Sequence, residues 1–235
     1  MKIHTLPGDK VIEGAAQALN EAFAKQAGKE FLFLSCGGSS LAILDHLDSN
    51  NFGPRSTVSV LDERYTTDPA NNTFALITQT DFYKKISANG AHFIDTRVED
   101  GESIEGLAKR FEDGLRDWRG RTHGAVIAMV GIGPDGHTGG MMPHPDEVEF
   151  FNTTFNDDAH WVASYDAKDR NPFRLRVTTT LPFMRTIDTA IIYMVGENKR
   201  RSLERLLADE GGLAETPCRV WKDVAGAELF TDLTP

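Results

Sequence analysis

Residues 124–145 run G-A-V-I-A-M-V-G-I-G-P-D-G-H-T-G-G-M-M-P-H-P. The apolar segment from Ala125 to Val130 is unbroken rather than alternating, which implies a strand buried on both faces, as in a parallel sheet. At its carboxyl end the composition changes at once to Gly131, Gly133, Pro134, Asp135, Gly136, His137, Thr138, Gly139 and Gly140. Open parallel sheets hold their ligands outside the carboxyl ends of their strands. Glycines there let the backbone turn tightly and approach a ligand closely. Asp135 and His137 are two residues apart, near enough for a carboxylate to act on an imidazole that titrates near neutral pH.

The same arrangement recurs on either side. Residues 9–27 carry Val11, Ile12, Ala15, Ala16, Leu19 and Phe23 at helical spacing, with Asp9 as the expected N-cap and Gly28 as the terminator. Phe31 to Leu34 then reads as a strand running into S-C-G-G-S-S and a helical L-A-I-L-D-H-L. Such a turn offers N–H groups and hydroxyls to an anion. It lacks both the G-x-G-x-x-G spacing of a dinucleotide site and the Walker lysine. Thr57 to Leu61 is another strand, ending in Asp62-Glu63-Arg64. Residues 102–118 form an amphipathic helix with Ile104, Leu107, Phe111, Leu115 and Trp118 on one side. Beyond Pro145 the chain reads as irregular and polar to about residue 160. Strands are expected at 161–165 and 175–180, and a buried one at 190–195 that leads to Lys199. Strands alternating with helices indicate one α/β domain over residues 1–235, Rossmann-like, with a mostly parallel sheet and helices on both faces.

Composition narrows the function. The 235 residues carry a formal net charge of -10 and 25 Lys and Arg against 35 Asp and Glu. That balance is a poor match for sequence-independent nucleic-acid binding. No apolar run approaches the ~18 residues of a spanning helix, and M-K-I-H-T-L-P lacks the apolar core of a secretion signal. Neither nucleic acid nor membrane is an expected partner. Cys36 and Cys218 stand far apart, which suits a reducing, cytoplasmic setting. Oligomeric state is left open, including a homo-oligomer.

If the predicted strands are parallel neighbours, Gly37-Gly38-Ser39, Asp62-Glu63-Arg64, Asp135-Gly136-His137 and Lys199 all gather at one edge of the sheet. Donors, positive charge and an acid/base group together suit a small phosphorylated molecule. The same motifs, in the same order, resemble those of the 6-phosphogluconolactonases, a family grouped with the glucosamine-6-phosphate deaminases. Its S-G-G-S-T-P is similar to Cys36-Gly37-Gly38-Ser39-Ser40-Leu41, and its D-E-R to Asp62-Glu63-Arg64, with Asn71-Asn72 closing the loop. Its G-x-G-x-D-G-H-T-A-S-L-F-P corresponds to Gly131 to Pro143. Its R-I-T-L-T-L-P and G-E-x-K correspond to Arg176–Pro182 and Gly196–Lys199.

The resemblance implies a phosphate site of Gly37, Gly38, Ser39, Arg64, Arg176 and Lys199. It implies hydrolysis of a phosphorylated sugar lactone, with His137 as general base and then acid. Asp135 either orients the histidine or holds a sugar hydroxyl, and Asp62 assists positioning. No metal and no cofactor are expected. Two alternatives stand beside it. A deaminase of this group typically carries D-G-H-I-A-F-N-E-P, whose glutamate falls at Met142 here, a side chain that cannot exchange a proton. A non-catalytic sugar-phosphate binder would keep the anion site alone. The chain departs from the pattern at Cys36 and across Gly139-Gly140-Met141-Met142.

Overall fold

The computed structural model describes residues 1–234; Pro235, the last position of the expected domain, lies outside them. The chain opens with β1 (Lys2–Thr5), α1 (Gly8–Ala24), β2 (Phe31–Ser35), β3 (Ser56–Val60) and β4 (Asp62–Arg64). It continues through α2 (Thr73–Thr78), α3 (Asp81–Ala88), β5 (His92–Phe93), α4 (Ile104–Arg121), β6 (Ala125–Gly131) and α5 (Val148–Phe155). The last third holds β7 (Val162–Asp166), β8 (Leu175–Thr179), α6 (Leu181–Met184), β9 (Thr189–Met194), α7 (Arg200–Leu207) and β10 (Ala227–Thr231).

Seven strands form one sheet in the order β1-β10-β9-β6-β2-β3-β5, and every pairing in it is parallel. All five residues of β2 and of β3 are buried. Successive side chains of a strand point to opposite faces, so burial of every position requires cover on both sides. α1 supplies part of that cover through Val11, Ala15, Ala16, Leu19 and Phe23. Phe23, Phe31, Phe33 and Phe52 pack their rings 4.8–6.0 Å apart beneath it.

Three expectations are corrected. α1 starts at Gly8 with Pro7 before it and no side-chain cap, so Asp9 lies inside the first turn, where the helix dipole favours an acid. The stretch after Pro145 is not irregular throughout: Val148–Phe155 is α5, which buries Phe151 and Phe155 one turn apart. Third, 62–64, 162–166 and 175–179 do not extend the parallel sheet. They form a separate antiparallel one in the order β4-β8-β7, with Arg64 opposite Arg176 and Asp62 opposite Thr178. The helical segment L-A-I-L-D-H-L falls in a 3-10 helix over Gly38–His46.

Candidate active site

β9, β6, β2 and β3 are consecutive and parallel in the large sheet, so their carboxyl ends open on one edge. There they enclose a cavity of about 270 Å³. Gly37, Gly38 and Ser39 line it from the turn after β2. Asp62 and Arg64 line it from β4, Arg176 from β8, His137 from the loop after β6, and Lys199 from the turn after β9. Of the nine residues singled out in the sequence, Asp135 alone does not line the cavity; it stands behind the histidine.

The loop after β6 is built around that contact. His137 Nδ1 lies 2.6 Å from Asp135 Oδ1, and the His137 backbone N–H donates to the same oxygen at 3.1 Å. Burial works against ionising Asp135, but its bonds with His137 outweigh this and hold the carboxyl below its usual range. An ionised carboxylate can only accept, so the shared proton sits on Nδ1 and the Nε2 lone pair is left available. Gly133 closes the turn, donating to the His137 carbonyl at 2.9 Å. A Cβ on Gly133 would fall 2.0 Å from His137 Nδ1, which is why this position carries no side chain. Gly136 has φ of 92°, open to glycine at little cost. Thr138 is fully buried and accepts from Trp221 Nε1 at 2.8 Å.

The small sheet steadies this loop from the other side. Thr178 Oγ1 accepts from the Gly140 N–H at 3.0 Å, and the Tyr165 hydroxyl donates to the Gly140 carbonyl at 2.6 Å. A Cβ on Gly140 would meet Thr178 Cβ at 2.9 Å. The two glycines that depart from the family pattern therefore sit against β8 with no room for a side chain at Gly140.

The charges are arranged unevenly. Asp62, Arg64, Arg176 and Thr178 share one face of the β4–β8 pair. Asp62 and Arg176 are both buried and form an ion pair, while Arg176 Nε has no hydrogen-bond partner. Arg176 is thus not a solvated strand residue. Arg64 has no carboxylate partner among the described residues; its Nη1 reaches only the Asn71 carbonyl, at 3.5 Å. Burial and then the facing Arg176 push its pKa down. Lys199 donates to the Ile132 carbonyl, and burial lowers its pKa too. Three cations against one carboxylate line the cavity of an otherwise acidic chain.

Several residues of the site carried no signal in the sequence. Asn171, Pro172 and Phe173 form one wall, and the Arg64 guanidinium lies 4.0 Å over the Phe173 ring. Glu63 is fully buried and accepts from the N–H groups of Arg64, Thr73 and Phe74 and from the Thr96 hydroxyl at 2.5–2.9 Å. It ties β4 to the start of α2, and burial pushes its carboxyl up to about 7. Only its place inside D-E-R could have drawn attention to it. Cys36 also lines the cavity, but burial raises its thiol to about 12, its Sγ lies 2.9 Å from Ser40 Oγ, and neither cysteine is in a disulfide. Among the described residues no group of three His, Cys, Asp or Glu side chains is placed to hold a metal, and no helix is long and apolar enough to cross a membrane.

The chain is 26% identical over 192 residues to the 6-phosphogluconolactonase of Thermotoga maritima, covering 80% of each. Its fold is shared with the 6-phosphogluconolactonase of Leishmania guyanensis at a TM-score of 0.76 and 19% identity, covering 98% of this chain and 95% of the other. A monomeric glucosamine-6-phosphate deaminase matches at 0.73 and 16%, covering 98% and 97%. Likeness of this degree in both directions establishes the fold and does not divide the two activities. The model of the glucosamine-6-phosphate isomerases and 6-phosphogluconolactonases matches residues 8–229, nearly the whole chain, and the chain belongs to that family.

Proposed function

We propose that the chain hydrolyses 6-phosphoglucono-1,5-lactone to 6-phosphogluconate. The observation that carries this reading is the imidazole of His137, held through Nδ1 by Asp135 on the wall of a cavity that also contains Arg64, Arg176 and Lys199. Nε2 takes a proton from water as the water oxygen bonds to the lactone carbonyl carbon. The electron pair of the C=O moves to oxygen. Cationic side chains and N–H groups of the glycine turns stabilise that oxyanion. As it collapses, the bond to the ring oxygen breaks, and His137 returns its proton to the departing alkoxide. Asp135 keeps the tautomer that this exchange needs.

The phosphate is held by Gly37, Gly38 and Ser39 through N–H and hydroxyl donors, and by Arg64, Arg176 and Lys199 through charge. Asp62 acts by fixing Arg176, to which it is paired in the cavity wall. Deamination lacks its acid: Met142 is fully buried and does not line the cavity. Hydrolysis of freshly made lactone by the parent and by His137→Ala tests the reading. Loss of a positioned general base is worth about 10²–10⁴ in rate. A His137→Ala enzyme as fast as the parent refutes it. Ammonia release from glucosamine 6-phosphate would reassign the reaction, and binding of 6-phosphogluconate without catalysis would make the chain a sensor.

A further inference from the structure

The three cations of the cavity are held in different ways. Arg176 has a buried carboxylate and Lys199 has a carbonyl, whereas Arg64 has neither an ion pair nor a short hydrogen bond among the described residues. Arg64 also faces Arg176 directly across the β4–β8 pair, an arrangement that pushes the two guanidinium groups apart. What lies against Arg64 is an aromatic face. Its Cζ sits 4.0 Å from the centre of the half-buried Phe173 ring.

Phe173 is itself firmly placed. Its N–H donates to Asn171 Oδ1 at 2.9 Å, and Pro172 restricts the turn before it. Just beyond, Arg174 pairs with Asp166, and the Arg174 carbonyl accepts from the Ala167 N–H at 2.7 Å. The loop between β7 and β8 is thereby closed at its base, with Phe173 the residue next to that closure.

We infer that Phe173 is a positioning residue for the substrate's phosphate, acting through Arg64. A guanidinium is planar and carries all five of its N–H donors in that plane. A ring stacked on one face satisfies the cation without using any donor. The in-plane edge stays free for bidentate contact with a phosphate, and the arginine does not have to abandon a carboxylate to make it. The freedom that Arg64 would lose on binding a phosphate is thus already restricted by the loop. The inference rests on the proposed lactonase reading for its substrate, though not for its geometry.

The test is a series at one position: Phe173→Ala, Phe173→Leu and Phe173→Tyr. Each is assayed for kcat and KM on 6-phosphogluconolactone and on the unphosphorylated glucono-1,5-lactone, with 6-phosphogluconate binding followed by calorimetry. The preference for the phosphorylated lactone, as a ratio of kcat/KM values, is expected to fall about fivefold in Phe173→Ala, chiefly through KM. Phe173→Tyr should restore it. Phe173→Leu, which keeps bulk without a π face, should not. A preference equal in all four proteins overturns the inference while the lactonase reading stands. If instead no protein hydrolyses either lactone, the lactonase reading fails. Calorimetry then decides the inference: about fivefold weaker binding of 6-phosphogluconate in Phe173→Ala and Phe173→Leu but not Phe173→Tyr upholds it, and equal binding overturns it.

Discussion

Asp62→Asn is the most informative perturbation of this cavity. The substitution keeps shape and removes one negative charge from a face where Arg64 and Arg176 oppose each other. Both side chains of the Asp62–Arg176 pair are 7% exposed, so Arg176 would be left charged, desolvated and uncompensated. Removing one partner of a buried ion pair costs ~3–5 kcal/mol. The pair lines an open cavity that water can enter, so the lower end applies, about 3 kcal/mol. That corresponds to a change of about a hundredfold in the ratio of folded to unfolded chains. For a chain of this length it lowers the midpoint by roughly 6–12 °C. Urea unfolding of parent and variant measures it directly. Inorganic phosphate should stabilise the variant more than the parent, because the anion supplies the charge that was taken away. Adding Arg176→Met to Asp62→Asn should recover part of the loss, since the stranded cation is then gone. A variant within about 1 kcal/mol of the parent, indifferent to phosphate, would refute the claim that this carboxylate compensates the buried charge of Arg176.

Two further outcomes are expected at neighbouring positions. Burial raises Glu63 to about 7 from 4.5, so the folded state binds its proton more tightly than the unfolded one. Its contribution is then fully present below pH 4.5 and lost as pH rises through about 7. Urea midpoints should decline between about pH 5 and pH 8 in the parent and decline less in Glu63→Gln; equal slopes would contradict the assignment. Gly133→Ala would press a methyl group 2.0 Å from His137 Nδ1 and 2.6 Å from Asp135 Oδ1. Lactone hydrolysis should fall about as far as in His137→Ala, ~10²–10⁴, with the fold retained by circular dichroism; parent-like activity would show that the Asp135–His137 contact is dispensable.

The sequence by itself determined the parallel sheet and the ends of its strands that carry chemistry. Runs such as Phe31–Leu34, Ala125–Val130 and Ala190–Met194 are apolar at every position, and their shortness between turn signals marks them as strands covered on both faces. Each run stops at a polar or glycine-rich turn, so the tips could be listed before any pairing was known. Asp135 and His137 belong to one short turn, which made their contact local and legible. Helix α5 was less so, because V-E-F-F-N-T-T-F has no side-chain cap and is rich in aromatic and β-branched residues; the Phe151 and Phe155 spacing was its one sign.

Tertiary structure decided everything that depends on register between distant strands. Asp62 and Arg176 are 114 residues apart, and their pairing exists because β4 leaves the parallel sheet to run antiparallel to β8. No periodicity within either segment encodes that departure. The same register sets Arg64 against Arg176 and brings Phe173 over the guanidinium, while Glu63, between Asp62 and Arg64, turns inward and accepts from the first N–H groups of α2. Local pattern fixes which residues stand at a strand's end. Which of them share a cavity, and which charge answers which, follows from long-range packing, because electrostatic partners are chosen by distance in space and not by spacing along the chain.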